Sequence, residues 1–437
     1  NFTFICMTDD VDDVIDTGNG TFRQRYAYTP TERTYIHWGV AIGTIVGTFP
    51  INWAYTKFGA KYPFFASGLL SAFSTLLTPT AAHLGLLPFV VVRFLQGLAF
   101  SADFAALGML TTRWAPLGET GIFLGFLTSF TPLSNSLSNA AGGLICVTLG
   151  WRWAFYIFGC LTIVFFAIWI LVYSDDPQTH WGVSTKELAK IEKDKSKEHC
   201  ERQTYVPYKA ICTSAVILIV WLNAFTELVG LVSLLTYSPI YLNKMLGLSV
   251  KQTAVFTSIG SGLHLPVKLV SAFLSDYLKM FSEVSKMIFF NVIAVGLVGV
   301  FTLLTPLLPF TWMSVFCVSI IQVLAGANSS GFYKCGTLHS REHAHFVLST
   351  IQFTKCFALI VGPALYGIFM ENDQDATGWK IIFLINGIGM VIANLFFFPV
   401  ATDKPAAWTA SRETTKEGIE GKETETDSAT TEASIVH

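Results

Sequence analysis

Residues 151–173 read WRWAFYIFGCLTIVFFAIWILVY, and Arg152 is the one charged residue among them. A membrane-spanning helix needs about 20 predominantly apolar residues, so this stretch predicts such a helix. Of the chain's 437 residues, 52% are hydrophobic and 13% are charged, and the mean hydropathy is +0.52. Soluble domains carry about 25% charged residues. The composition therefore excludes a soluble enzyme and a disordered scaffold, and the net charge of −2 provides no basic surface for nucleic acid.

Eleven apolar segments of comparable length follow one another, and the polar stretch 174–209 separates the first five from the last six. Proline and glycine inside them are tolerated in a membrane, where neighbouring helices satisfy the backbone groups left free. We therefore predict an all-α integral membrane protein. The predicted spans are 35–56, 62–82, 86–110, 119–148, 152–173, 211–241, 253–275, 287–307, 311–337, 346–370 and 379–401.

The distribution of Lys and Arg predicts the orientation in the membrane. With the 174–209 loop in the cytoplasm, that side carries thirteen Lys and Arg, against four on the opposite side. Cytoplasmic loops carry the excess of positive charge. Residues 1–34 are then extracytosolic, and Asn19 in the sequence Asn19-Gly20-Thr21 is a candidate glycosylation site.

The polar segments complete the predicted organisation. Ser184 and Glu187 have capping-box spacing and predict a short surface helix at 185–197 of the linker. The tail from 402 is rich in Thr and Glu and is predicted to be cytoplasmic and disordered. The predicted regions are an extracytosolic segment 1–34, a first bundle 35–173, a cytoplasmic linker 174–209, a second bundle 210–401 and the tail 402–437.

The first residues are apolar, as at the end of a membrane span. The stretch 2–7 reads FTFICM, and we interpret it as the remainder of a first span that is missing from this sequence. With that span restored, five plus six becomes six plus six. The eight cysteines are scattered without a CxxC pair and are predicted to be small apolar packing residues.

Two phrases recur in the two halves. Residues 151–159 and 379–387 both read W-basic-x-x-F-x-I-x-G, open the last span of each half, and lie 228 residues apart. A second pair, WAYTKFG at 53–59 and FLSDYLK at 273–279, is separated by 220 residues. Similar phrases at similar offsets and in the same orientation indicate two parallel repeats, a relation known between the halves of some membrane transporters.

Further phrases between 35 and 408 point to one family. They are VRFLQGL at 92–98, WAPLGE at 114–119, FYIFG at 155–159, DPQTH at 176–180, SGF at 330–332 and GP at 362–363. With them the chain resembles the major facilitator superfamily. Within it, the chain is similar to solute carrier family 17, which contains the vesicular glutamate transporters, sialin and the type I sodium–phosphate cotransporters.

This resemblance implies the major facilitator fold, with 12 helices in two six-helix bundles, of which 11 spans are present here and the first is missing. It also implies alternating access and an anionic substrate. In the family, the Arg that matches Arg93 lies in the fourth helix and is tied to anion binding. A His placed like His37, thirteen residues before Pro50, is linked to transport competence and proton sensing.

The chain also departs from the family. Phe100 stands where the family has Glu, and Asp103 lies about one turn further on. Glu227 stands where the vesicular branch has Arg. These differences argue against glutamate as the solute.

Each charged residue inside a span is a functional candidate, because burying it costs at least about 2.5 kcal/mol on insertion scales. Arg93, His37 and Lys355 are candidates for substrate binding, since cationic groups attract an anion and the planar guanidinium fork matches a carboxylate or phosphate. Asp103 and Glu227 are candidates for ion coupling. The alternatives are structural ion pairs for Arg93 and the two acids, snorkelling toward the cytoplasm for Lys355, and no functional role for His37.

A cytoplasmic gate is the third kind of candidate site. In major facilitator proteins, charged residues at the position of Asp276 join helix ends on the cytoplasmic side. Lys279 lies beside it, and Lys57 ends the matching span of the first half. We predict these three residues as gating residues.

The predicted function is secondary active transport of a small organic or inorganic anion, coupled to H⁺ or Na⁺ and without a cofactor. The sequence contains neither a G-x-x-x-x-G-K-[ST] nucleotide loop nor a G-x-S-x-G nucleophile motif, which argues against an ATP-driven pump and an enzyme.

The predicted partners are the anionic solute and the lipid bilayer, and the protein is predicted to be a monomer. Plasma membrane and vesicle or lysosome membrane both remain open. The alternative function is a transporter-like sensor or scaffold that does not transport.

Overall fold

The computed structural model describes residues 2–8, 14–16, 22–116, 123, 126–192 and 207–409. Helices dominate it. The first half contains α1 (Phe2–Thr8), α2 (Pro30–Phe58), α3 (Lys61–Leu84), α4 (Leu86–Phe100), α5 (Ala102–Trp114), α6 (Phe130–Thr148) and α7 (Trp151–Val172). Two short antiparallel strands, β1 (Val14–Asp16) and β2 (Phe22–Gln24), lie between α1 and α2, with Ile15 opposite Arg23.

The linker contains α8 (Thr185–Glu192), which confirms the predicted surface helix as far as the described residues extend. Its N-terminus is capped as expected, because the Glu187 amide donates to Ser184 Oγ at 3.3 Å. The second half contains α9 (Tyr208–Thr213), α10 (Ala215–Ile240), α11 (Val250–Tyr277), α12 (Glu283–Asn291), α13 (Val298–Leu304), α14 (Thr311–Leu324), α15 (Phe332–Ser340), α16 (Ala344–Phe369) and α17 (Ala376–Phe397).

Several long helices are interrupted. The span predicted at 86–110 consists of α4 and α5 in succession, with Ser101 between them. The π-helical segment Val292–Leu297 joins α12 to α13, and the 3₁₀ segment Ala325–Ser330 lies between α14 and α15. Such interruptions in a membrane helix concentrate where helices pack on one another or line a functional site.

Seven helical segments of the described residues are long and apolar enough to cross a membrane. The remaining predicted spans correspond to α2, to α4 and α5, and to α11, while α6 covers 130–148 of the span predicted at 119–148. Helices α2 and α11, which are outside this set, both pack on neighbouring helices: α2 contacts α4 and α16, and α11 contacts α6 and α14. The seven spans are 61–84, 151–172, 215–245, 283–307, 311–340, 346–369 and 376–397.

The two halves begin corresponding helices in the same way. Thr29 and Glu32 form a reciprocal capping box at the start of α2, and Ser249 and Gln252 form one at the start of α11. The two capping residues are 220 residues apart, the offset of the second repeated phrase. Each box satisfies backbone amides that have no partner within the first turn. The matching caps at corresponding helices therefore agree with two parallel repeats in the chain.

The repeated tryptophans have equivalent packing. Trp151 and Trp379 are both 3% exposed, at the starts of the last helix in each half. Each has a tyrosine ring against it, Tyr26 for Trp151 and Tyr241 for Trp379, with ring centroids 5.1 Å apart in both cases. We name the side of the membrane that holds residues 30, 84, 151 and 369 the outer side, which the Lys/Arg distribution assigns as extracytosolic, and the opposite side the inner side.

Two expectations are corrected. Cys6 and Cys146 are not merely packing residues, because they form a disulfide that joins α1 to the outer end of α6. The start of the tail is also ordered: Ala406 donates its amide to the His339 carbonyl at 3.0 Å, and the Lys404 carbonyl lies 2.9 Å from His339 Nδ1. Residues 402–409 therefore pack against α15, while 410–437 lie outside the described residues.

The disulfide should contribute to stability. It closes a loop between cysteines 140 residues apart, and such cross-links typically stabilise a fold by about 2–4 kcal/mol by restricting the unfolded chain. We expect Cys146→Ser to lower the thermal unfolding midpoint of the purified protein. Cys160→Ser, which removes an exposed free thiol, is the matched control and should not. Equal midpoints for the two variants would contradict the expectation.

Candidate functional site

Glycines on α2 bring it close to α4. Gly39, Gly43 and Gly47 recur every four residues, so they share one face of the helix. A Cβ added to Gly43 would lie 2.1 Å from the Phe94 carbonyl oxygen, and one added to Gly39 would lie 3.2 Å from Arg93 Cβ. Small residues at this spacing let membrane helices approach backbone to backbone. The packing fixes Arg93 beside the helix that carries His37.

Among the described residues, the hydrogen-bond partners of Arg93 are polar and not acidic. It donates from Nη1 to Gln96 Oε1 at 3.1 Å, and Gln96 in turn donates to Thr78 Oγ1 at 3.1 Å. The guanidinium lies over the Phe89 ring, 5.3 Å from its centroid. Its Nε is buried without a hydrogen-bond partner, and within the described residues it forms no ion pair. A buried guanidinium with an unused donor is suited to bind an anion.

His37 lies between the two halves of the chain. Its ring has edge contacts with Phe4, at 5.8 Å between centroids, and with Tyr237 of α10, at 5.7 Å. The positive charge of Arg93 is close enough to act on it electrostatically. The structure therefore brings together two of the predicted substrate-binding residues, with Tyr237 facing them from the second half.

Lys355 lies within electrostatic range of both predicted coupling acids. It lies on α16 with its Nζ 5.3 Å from the centroid of the Phe100 ring. Both Asp103 in the first half and Glu227 in the second half interact electrostatically with it. Lys355 therefore lies near the acids rather than beside Arg93, which extends the site toward the inner side.

Glu227 is fully buried in the second half. Its Oε1 accepts a hydrogen bond from Asn328 Nδ2 at 2.9 Å. Its Oε2 has no partner in the described residues, and neither does the buried hydroxyl of Tyr237. Both residues line a cavity whose walls also include Tyr366 and Asn386. An unpaired carboxylate oxygen in such a cavity can take up a proton or contact a cation.

Among the described residues, no group of three or more His, Cys, Asp or Glu side chains is placed to hold a metal ion. The candidate residues come from both halves of the chain, whereas the cavity that Glu227 and Tyr237 line is formed by second-half residues. A family model described as "Major Facilitator Superfamily" matches residues 19–363.

The chain belongs to the major facilitator superfamily.

Curated relatives confirm the resemblance to solute carrier family 17. The chain is 25% identical over 389 residues to "Probable small intestine urate exporter" of Mus musculus, covering 88% of this chain and 78% of the relative. It is 25% identical over 400 residues to "Sodium-dependent phosphate transport protein 1" of Mus musculus, covering 90% and 85%. It is 27% identical over 397 residues to "Sialin" of Homo sapiens, covering 88% and 78%. These relatives are transporters and not enzymes.

Solved structures confirm the fold. A D-xylose-proton symporter matches with a TM-score of 0.66 at 16% identity, covering 86% of this chain and 88% of that one. A partially occluded inward-open form of the xylose transporter XylE from E. coli matches with a TM-score of 0.64 at 15% identity, covering 91% and 93%. The chain is therefore a multi-pass membrane protein with the major facilitator fold, as predicted.

The predicted gate residues are not joined to the other half in the described contacts of this major facilitator protein. Lys57 is exposed, with its Nζ 5.0 Å from the Trp53 ring centroid on its own helix. Lys279 is exposed as well. Asp276 lies on α11, but its side chain is outside the described residues, as is Asn19. The gating and glycosylation assignments stay predictions.

Sequence reasoning missed a charged cluster next to Asp276. Lys286 and Lys334 each bind Glu283, at 2.6 and 3.0 Å, and each also donates to Ser275, at 2.8 and 3.0 Å. Glu283 and Lys286 have the i, i+3 spacing of a helical ion pair, which could have revealed half of the cluster. The cluster fixes the inner ends of α11, α12 and α15 together.

The glycine contact provides a test of the close approach between α2 and α4, the helix that carries Arg93. Gly43→Ala forces a methyl group against the Phe94 carbonyl, and overpacking of this kind costs about 1–3 kcal/mol. We expect a lower thermal unfolding midpoint for the detergent-purified variant. Gly142→Ala is the control, because an added Cβ there meets no heavy atom within 4 Å. A loss of stability in Gly142→Ala as large as in Gly43→Ala would show that the close approach of α2 and α4 is not the cause.

Proposed function

We propose that this protein is a secondary active transporter of a small organic or inorganic anion, coupled to H⁺ or Na⁺ and working by alternating access. One observation carries the proposal. Arg93 is held beside His37 at the junction of the two halves, with a buried Nε that no described residue binds. Arg33 is ion-paired with Asp373, whereas Arg93 forms no ion pair within the described residues, so its charge and its free Nε are available to a ligand.

The second part of the proposal concerns coupling. Lys355 interacts with one acid from each half, so charge added to or removed from Asp103 or Glu227 changes the electrostatic interaction across the junction. Uptake of H⁺ or Na⁺ at a carboxylate lowers its negative charge and releases Lys355 to interact with the other acid or with the solute. A ligand can drive the bundles between states only through such a difference in interaction.

The relatives suggest which solutes to test first. Two of them are named for urate export and for sodium-dependent phosphate transport. Urate and phosphate share a negative charge that one guanidinium can bind. We include both in a panel with sialic acid and acidic amino acids.

The test is uptake of this labelled panel by full-length protein in liposomes, under separately imposed Na⁺, pH and voltage gradients. Uptake that follows one gradient supports secondary transport and identifies the coupling ion. A folded protein that takes up none of these anions under any gradient would favour the alternative, a transporter-like sensor or scaffold. Protein-free liposomes and a variant with Arg93 replaced are the controls.

A further inference from the structure

A buried ion pair joins the outer ends of the two halves. Arg33, on the first turns of α2, is 5% exposed. Its Nη1 lies 2.8 Å from both carboxylate oxygens of Asp373, in the loop between α16 and α17. The two residues are 340 positions apart in sequence. Removing one partner of such a pair leaves the other charge uncompensated, so loss of either side chain should strongly disfavour the arrangement in which these ends meet.

Aromatic residues connect this ion pair to the candidate substrate site. The Tyr366 hydroxyl donates to Asp373, and the Tyr366 ring is stacked on Tyr237 with centroids 4.1 Å apart. Tyr237 contacts the His37 ring. A displacement of His37 or Tyr237 by a solute at Arg93 would therefore be transmitted through direct contacts to Asp373.

Two further bonds close the same region. Thr34 Oγ1 donates to the Pro363 carbonyl at 2.9 Å, and Trp38 Nε1 donates to the Ile360 carbonyl at 3.0 Å. Both connect α2 to α16 within about one and a half turns of Arg33. A solute that enters from the outer side must pass between these helix ends, so the ends must separate in each cycle.

We propose that Arg33, Asp373 and Tyr366 form the outer gate of the transport cycle. The ion pair keeps the outer side closed, and it breaks when the bundles rock to the outward-open state. Tyr366 connects the gate to the solute site through Tyr237. The proposal rests on the proposed function only in requiring that the two halves move, and it does not depend on the solute or the coupling ion.

The test is a distance measurement across the outer side. Spin labels are attached to cysteines introduced at Leu84 and Phe310, which are 70% and 67% exposed on the outer ends of the two halves. Cys160 and Cys212, the exposed free cysteines of the described residues, and also Cys200 are replaced by serine. Distances are recorded by pulsed electron paramagnetic resonance for full-length protein in nanodiscs, without solute.

We expect Arg33→Gln and Asp373→Asn each to raise the population with the longer distance severalfold. Tyr366→Phe, which removes the hydroxyl and retains the ring stack, should give a smaller shift in the same direction. The charge swap that combines Arg33→Asp with Asp373→Arg should return the distribution toward that of the unaltered protein. Glu371→Gln is the matched control, because it removes an exposed acid from the same loop.

Distance distributions that stay unchanged in the single variants and in Tyr366→Phe would contradict the proposed gate. The proposal would also be wrong if the distance distribution of the charge-swap variant resembled that of the unaltered protein no more than the distributions of the single variants do. Size-exclusion profiles select folded protein for each measurement, and Tyr366→Phe provides the test if a charge variant fails to fold. Since no solute is added, these outcomes are separate from the uptake experiments: a gate that opens without the ion pair can be found in a protein that transports nothing.

Discussion

Replacing Arg93 with alanine is expected to lower anion uptake at subsaturating concentration by roughly 10- to 150-fold, because hydrogen bonds to a charged group contribute about 1.5–3 kcal/mol. Arg93→Lys should be intermediate, since it keeps the charge and loses the planar fork. Uptake into liposomes over a concentration series separates weaker binding from slower turnover.

The control for this substitution is Arg113→Ala. Arg113 pairs with Asp176 at 2.6 Å on the inner side, where both side chains are largely exposed. Exposed pairs contribute about 0–1 kcal/mol, so uptake should stay close to that of the unaltered protein. Unchanged uptake in Arg93→Ala, with normal membrane insertion, would make Arg93 a structural residue.

Glu227→Gln is expected to remove the dependence of uptake on the driving ion while exchange of solute continues. A pH gradient of one unit can drive about tenfold accumulation per coupled proton, since one pKa unit corresponds to about 1.36 kcal/mol. Glutamine keeps the shape of the side chain and can still bond Asn328, but it cannot take up a proton or bind a cation with a negative charge. Accumulation should fall toward equal concentrations on both sides.

Counterflow and gradient-driven uptake of the same preparation measure this difference. Glu187→Gln changes an exposed acid on the linker helix and serves as the control. Asp103→Asn forms the second arm of the experiment. If Glu227→Gln keeps full gradient-driven accumulation and Asp103→Asn loses it, the coupling residue is Asp103, and the role proposed for Glu227 is wrong.

The fold could be predicted because hydropathy acts over whole segments. An apolar stretch such as 151–173 has few alternatives to a membrane helix, and its repeat at 379–387 revealed the parallel halves. Arg93 was identifiable for the same reason, since a charge inside a span is conspicuous. The glycines every four residues on α2 are visible in the sequence, but the helix that packs against them is set by the fold.

The contacts between distant parts of the chain could not be predicted. Asp373 lies in a polar loop, where an acid is ordinary, and its partner Arg33 lies 340 positions away. The same holds for the Cys6–Cys146 disulfide, because cysteine connectivity cannot be deduced from sequence. The unpaired Oε2 of Glu227 depends on how several helices pack, which periodicity does not reveal.

The packing of residues 402–409 against α15 determines where this protein can be tagged. A fluorescent protein or affinity tag fused directly after 401 would displace the bonds of His339 to Lys404 and Ala406. It would also remove the thiol contact between Cys335 and the Thr402 carbonyl, at 3.6 Å. Fusions that retain the chain through 409 preserve these contacts at the inner end of α15.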